Sequence, residues 1–161
     1  MLNEKEYLEE IEVDGGLSIL LVEDNSVDRR IFSHNLKQIC AQESLQGVSL
    51  STARSISEAM EHLSREHCDV VVLDLGLPDS SGLSGLESLV AKYPGVAVVI
   101  LSAYSDRDLA TKAIHKGAVD YFLKGVMKPG WVVRDIISAT TKHRRRMTLS
   151  SVGLAGIKGE G

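Results

Sequence analysis

Between Asp69 and Asp74 the chain places Val70, Val71, Val72 and Leu73, an apolar run with no polar residue to alternate with it. A strand with one wet face alternates apolar and polar side chains, whereas a strand covered on both faces reads as a continuous apolar run. The same reading applies to "LSILLV" (Leu17 to Val22) and to "VAVVILSA" (Val96 to Ala103). "VSLSTA" (Val48 to Ala53) is a weaker strand candidate, and "VDYFL" (Val119 to Leu123) is the last. Strands buried on both faces need helices above and below them, so these runs restrict the chain to a parallel sheet inside an α/β layer arrangement.

The intervening segments supply those helices. From Val27 to Cys40, Phe32, Leu36, Ile39 and Cys40 recur at helical spacing, leaving Arg29, Arg30, Lys37 and Gln38 to face water. Ser55 and Glu58 form an S-x-x-E capping box ahead of Ala59, Met60 and Leu63. Ser105 and Asp108 form a second one ahead of Leu109, Ala113 and Ile114, and Gly117 closes that helix. Leu83, Leu86, Leu89 and Val90 mark a short helix stopped by Pro94-Gly95. Pro129 fits the first turn of a last helix, whose inward side carries Val132, Val133, Ile136 and Ile137. The βα alternation therefore repeats five times, which predicts a doubly wound five-stranded parallel sheet.

Within the 161 residues, 1–16 read as a charged leader, 17–146 as one globular unit, and 147–161, which has neither period nor caps, as a disordered tail or linker. The basic last helix and this tail favour excision from something larger over a stand-alone unit. A formal charge of −4 gives no global attraction to nucleic acid. The run "KHRRR" (Lys142 to Arg146) is read as cations on a final helical turn or a solvated junction. No apolar run is long enough to span a bilayer, and "MLNEKEYLEE" lacks the form of a signal peptide. Cys40 and Cys68 show no CxxC spacing, so the expected compartment is the reducing cytoplasm. His34, His62, His67, His115 and His143 show no metal-ligand grouping.

In an open parallel sheet, ligands bind beyond the carboxyl ends of the strands, where the strand order reverses. The polar residues that follow the apolar runs are Glu23 and Asp24, then Asp74, Ser102 and Lys124. Three acids converging on one edge repel one another unless a cation neutralises them. Magnesium is the candidate, being a hard ion that takes carboxylates, waters and a phosphate oxygen. A carboxylate beside such an ion can act as a nucleophile toward phosphorus, with Ser102 and Lys124 meeting the phosphoryl oxygens. Taken singly, Asp74 could instead start a loop by bonding its own backbone, and Glu23 and Asp24 could serve a helix terminus.

"ILLVEDNSVDRR", "VVVLDLGLPDSSG", "VVILSAYSD" and "VDYFLKG", in this order, resemble the receiver domain of two-component response regulators over roughly Leu17 to Arg146. The resemblance implies a flavodoxin-like sheet in order 2-1-3-4-5, with Asp74 as phosphoacceptor. It implies an acidic pocket of Glu23 and Asp24, and Mg²⁺ bound by Asp24, Asp74 and the backbone carbonyl of Gly76. Ser102 and Tyr121 match the family's switch pair, and Lys124 matches its phosphate-contacting lysine. One departure is that Gly125 follows the lysine where the family usually has proline. A competing "KP" stands at Lys128-Pro129, but Lys124 lies three residues after Tyr121 at a strand end, as the motif requires.

The expected function is a phosphoacceptor signalling module. It would receive a phosphoryl group from a histidine kinase or a histidine phosphotransfer protein and switch a surface for an output domain or protein, with homodimerisation through the last helices compatible with the family. It would not be an enzyme beyond its own phosphorylation and dephosphorylation. Two alternatives stand beside it: an aspartyl-nucleophile phosphatase and a phosphate-independent interaction domain. Phosphatases of the haloacid-dehalogenase type carry a second aspartate two residues after the nucleophile as general acid, and this chain has Gly76 there. Gly76 and Tyr104, two residues after Asp74 and Ser102, leave the lifetime of the phosphate open.

Overall fold

The computed structural model describes residues 13, 15–125 and 128–158, so most of the expected leader lies outside the described residues. Ten elements alternate along the described residues. They are β1 (Leu17–Val22), α1 (Ser26–Gln42), β2 (Val48–Ala53), α2 (Ile56–Arg65), β3 (Val70–Leu73), α3 (Ser84–Lys92), β4 (Ala97–Ser102), α4 (Arg107–His115), β5 (Asp120–Leu123) and α5 (Pro129–Lys158). The strands form one parallel sheet in the order β2-β1-β3-β4-β5, the expected topology.

Because successive strand residues point to opposite faces, each central strand feeds two cores. Val71 and Leu73 join Leu20, Val22, Val98 and Ile100 against α2, α3 and α4, through Ala59, Leu63, Leu86, Leu89 and Ala113. Val70 and Val72 join Ile19, Leu21, Val99 and Leu101 against α1 and α5, through Phe32, Leu36, Val133, Ile136 and Ile137. All four residues of β3 are at most 1% exposed, and burying each such side chain contributes about 1.5–3 kcal/mol. The middle of the sheet is therefore its most rigid part, and the acids at its ends have fixed backbones.

The helix termini follow local chemistry with two corrections. Ser55 caps α2 by accepting the Glu58 N–H, and Glu58 accepts the Arg54 N–H in return. At α4, however, Asp106 and not Ser105 is the cap, accepting the N–H groups of Asp108 and Leu109. A carboxylate accepts two helix N–H groups at once and complements the positive helix end, which an adjacent serine does less well. Gly117, at φ +106°, closes α4 as expected: its N–H meets the Ile114 carbonyl while the Ala118 N–H meets that of Ala113.

The second correction concerns the tail. The segment from residue 147 to 158, expected to be disordered, continues α5 to Lys158. No proline follows Pro129, and each glycine costs a helix only about 1 kcal/mol, too little to stop a helix already propagating from the core. Among the described residues no helix is long and apolar enough to cross a membrane.

Candidate functional site

β1 and β3 are neighbours with Val22 opposite Leu73, so the chain leaves both strands side by side at their carboxyl ends. The Asp74 N–H donates to the Val22 carbonyl at 3.0 Å, and the Glu23 N–H to the Ala53 carbonyl at 2.9 Å. The sheet ladder thus runs one residue beyond each strand and fixes the backbone of both acids. Glu23, Asp24 and Asp74 bring carboxylate oxygens within 4.8 Å of one another. Glu23 is 2% exposed and Asp74 9%, while Asp24 lies open to solvent.

Lys124 enters from the other side. Its N–H extends the β4–β5 ladder to the Ser102 carbonyl at 2.8 Å. Its Nζ donates to Glu23 Oε2 at 2.5 Å and to Asp28 Oδ2 at 3.0 Å, and lies 3.5 Å from Asp74 Oδ2. Lys128, the rival lysine, is exposed, and its carbonyl accepts the Trp131 N–H in the first turn of α5. Gly125 after Lys124 has φ +78°, a conformation closed to proline, whose ring holds φ near about −65°. The departure from the family pattern therefore leaves Lys124 beside the acids.

Electrostatics at this edge are unbalanced. Burial is the largest influence on Glu23 and, with the negative charge of Asp74, raises its carboxyl above its ordinary range despite the Lys124 ammonium and the Asn25 N–H. Burial works against charge on Lys124, yet the acids around it, Glu23 first, hold its pKa above that of a free lysine. The Lys124 ammonium meets three carboxylates, those of Glu23, Asp28 and Asp74, and Asp24 adds a further acid beside Glu23 and Asp74. Three carboxylates with oxygens within 4.8 Å of one another form an all-oxygen donor set, which suits a hard divalent cation better than a softer metal. The donor set therefore fits magnesium.

The remaining predicted residues sit around this cluster. Gly76 donates its N–H to Asp74 Oδ1 at 3.2 Å, and a Cβ built on it would stand 3.6 Å from Asp74 Oδ2. The absent side chain thus leaves open space directly against the carboxylate. Ser102 is fully buried, and its Oγ accepts the Tyr104 N–H at 3.1 Å. Tyr121 packs partly against the α2–α4 core and donates its hydroxyl to the Tyr104 carbonyl at 2.6 Å. Both members of the expected pair thus hold the backbone of one residue, Tyr104, in the β4–α4 loop.

Three contributors escaped the sequence reading. Asp28 takes part of the Lys124 ammonium; its signal was a carboxylate in the first turn of the helix directly after the acidic pair. Arg29, expected to face water, turns back and donates to the carbonyls of Glu23 and Asp24, both at 2.9 Å. Asp79, in the loop after β3, accepts the N–H groups of Ile56 and Ser57 at 3.0 Å each, tying that loop to the start of α2. These N–H bonds lower the Asp79 pKa.

The response regulator receiver domain model matches residues 19–132. The alginate biosynthesis transcriptional regulatory protein AlgB of Pseudomonas putida is 38% identical over 106 residues, 66% of this chain and 22% of that protein. The transcriptional regulatory protein MalR of Bacillus subtilis is 33% identical over 108 residues, 67% of this chain and 44% of MalR. The chain thus spans less than half the length of either relative. Among solved structures, a response regulator receiver domain protein from Clostridium thermocellum is 27% identical, with TM-score 0.66 over 83% of this chain and 98% of its own. A response regulator from Thermotoga maritima, 24% identical, shares the fold with TM-score 0.66 over 78% of this chain and 98% of its own.

Proposed function

The chain belongs to the response regulator receiver domain family, a family of signalling modules in two-component systems, and on that basis we propose that Asp74 is its phosphoacceptor. The observation that carries this reading is the convergence of Glu23, Asp24 and Asp74 within 4.8 Å, with the Lys124 ammonium 3.5 Å from Asp74. In the proposed transfer, a carboxylate oxygen of Asp74 attacks the phosphorus of a phosphohistidine. The P–N bond breaks, and the leaving imidazole keeps its electron pair and takes up a proton.

Mg²⁺ held by Asp24, Asp74 and the Gly76 carbonyl, with Glu23 completing the acidic pocket, supplies charge neutralisation to the acids and the phosphoryl oxygens. Lys124 contributes the fixed positive charge that meets the new phosphate. Ser102, once its hydroxyl turns from the Tyr104 N–H, donates to a phosphoryl oxygen, which frees the loop that Tyr121 also holds. The phosphate thereby favours one arrangement of the β4–α4 loop over another, a population shift that a partner can read.

The donor is proposed to be a histidine kinase or a histidine phosphotransfer protein. The reader of the switched surface is proposed to be an output domain or protein, with homodimerisation as one route and neither nucleic acid nor membrane as a direct partner of the unit at 17–146. The setting is proposed to be cytoplasmic. An aspartyl phosphatase is disfavoured because Gly76 offers no acid to a leaving group.

The test is incubation with acetyl phosphate and Mg²⁺, followed by intact mass measurement. The protein gains one phosphoryl group that is lost in alkali or hydroxylamine, and Asp74→Asn gains none. Equal modification of both proteins overturns the assignment, and repeated turnover of a phosphomonoester revives the phosphatase.

A further inference from the structure

The Lys124 ammonium is not centred on Asp74. It lies closer to Glu23 at 2.5 Å and to Asp28 at 3.0 Å than to Asp74 at 3.5 Å. Glu23 belongs to the acidic pocket and gives up part of its negative potential whenever a cation is held there. Asp28 does not share that fate: it is absent from the three-carboxylate cluster and stands on the first turn of α1. Its position is built from two sides. Asn25 accepts the N–H groups of Val27 and Asp28 at 2.9 and 3.0 Å, and the neighbouring Arg29 clasps the carbonyls of Glu23 and Asp24. The α1 terminus is thereby fastened to the acidic loop, with the Asp28 carboxylate facing the lysine.

We propose that Asp28 is a positioning residue that holds Lys124 on the α1 side of the pocket, so that a phosphoryl group on Asp74 must draw the ammonium away from it. This inference rests on the reading of Asp74 as phosphoacceptor. Asp28 sets the resting position of the clamp and opposes the loaded state. With the Asp28 charge removed, the ammonium has one competitor fewer and engages an anion on Asp74 more readily. The side chain of Asp28 is 40% exposed, so its hold is that of a partly solvated ion pair, and the effect is modest.

The experiment is a double-mutant cycle on the affinity for beryllofluoride, a non-covalent mimic of a phosphoryl group on a carboxylate, read by ¹⁹F NMR in saturating Mg²⁺. Asp28→Asn should bind about two- to fivefold more tightly than the wild type, the range expected for losing one solvated ion-pair partner. Asp28→Glu should restore affinity toward the wild type. In a Lys124→Ala background the same Asp28→Asn change should shift affinity by less than about 1.5-fold, because the group it acts through is gone. An undiminished shift in that background assigns the effect to general charge and overturns the proposal, as does unchanged affinity in Asp28→Asn. Failure of the underlying reading looks different: the wild type then binds no beryllofluoride, or Asp74→Asn binds it equally well.

Discussion

Asp69 and Asp74 bracket the same four-residue strand, yet the fold treats them in opposite ways. At the entrance of β3, Asp69 accepts the N–H of Ser18 at 2.7 Å and its hydroxyl at 3.0 Å, meets His67 at 3.0 Å, and pairs with Arg144 of α5 at 2.6 Å. Burial alone would raise its pKa, but the Ser18 N–H, Arg144, His67 and the Ser18 hydroxyl bring it down to about 2. At the exit, Asp74 has one backbone N–H and a distant share of a lysine that two other acids hold more closely. Saturated partners make a carboxylate a fastener, whereas crowding by other acids leaves it dependent on something that is yet to bind. The amino edge is fastened for that reason, and the carboxyl edge is where the proposed chemistry falls.

Three measurements can break or sharpen this contrast. The largest effect belongs to the entrance. Asp69→Ala should lower the unfolding free energy by roughly 2 kcal/mol in a urea titration, the equivalent of the gap between 3.8 and about 2. The sign of the pH dependence follows from the lowered pKa. The contribution of Asp69 is fully present above its unfolded value near about 4 and disappears as pH falls through about 2. The wild type should therefore lose its advantage over Asp69→Ala across that window. An unchanged difference between the two proteins would show that the network adds nothing through ionisation.

The next effect belongs to the exit and has the character of a ligand. Mg²⁺ at tenfold excess over its dissociation constant should stabilise the wild type by about 1.4 kcal/mol, and Asp24→Asn by much less at the same concentration. Equal stabilisation of both would move the ion away from the acidic cluster. The smallest effect is opposite in sign to that at Asp69. Without metal, Asp74→Asn should raise stability slightly, by less than either effect above, because the Asp74 charge is one of the influences that destabilise ionised Glu23. Destabilisation comparable to that of Asp69→Ala would erase the distinction between the two ends of β3.

The apolar runs made the layers legible, since a strand that offers water no polar face has to lie between helices. The order of acids, hydroxyl and lysine after those runs made the candidate site legible too, because a parallel sheet delivers every strand end to one edge. What stayed hidden was pairing across the chain. The local pattern singled out neither Asp28 nor Asp79 and offered Arg144 only as a member of a basic run, yet each finds a partner far along the chain. The extension of α5 was hidden for a different reason: its residues have weak individual preferences, and its helicity is inherited from the packed turns before it.

The sequence by itself determined that Asp74 leaves a strand buried on both faces at the same sheet edge as Glu23 and Asp24, and its receiver-like motifs implied the strand order that makes them neighbours. Only the tertiary structure decided how charge is shared there. Coulombic pairing depends on distances of a few ångströms between residues up to about a hundred positions apart, as between Glu23 and Lys124. Those distances exist only once both helical layers have closed on the sheet.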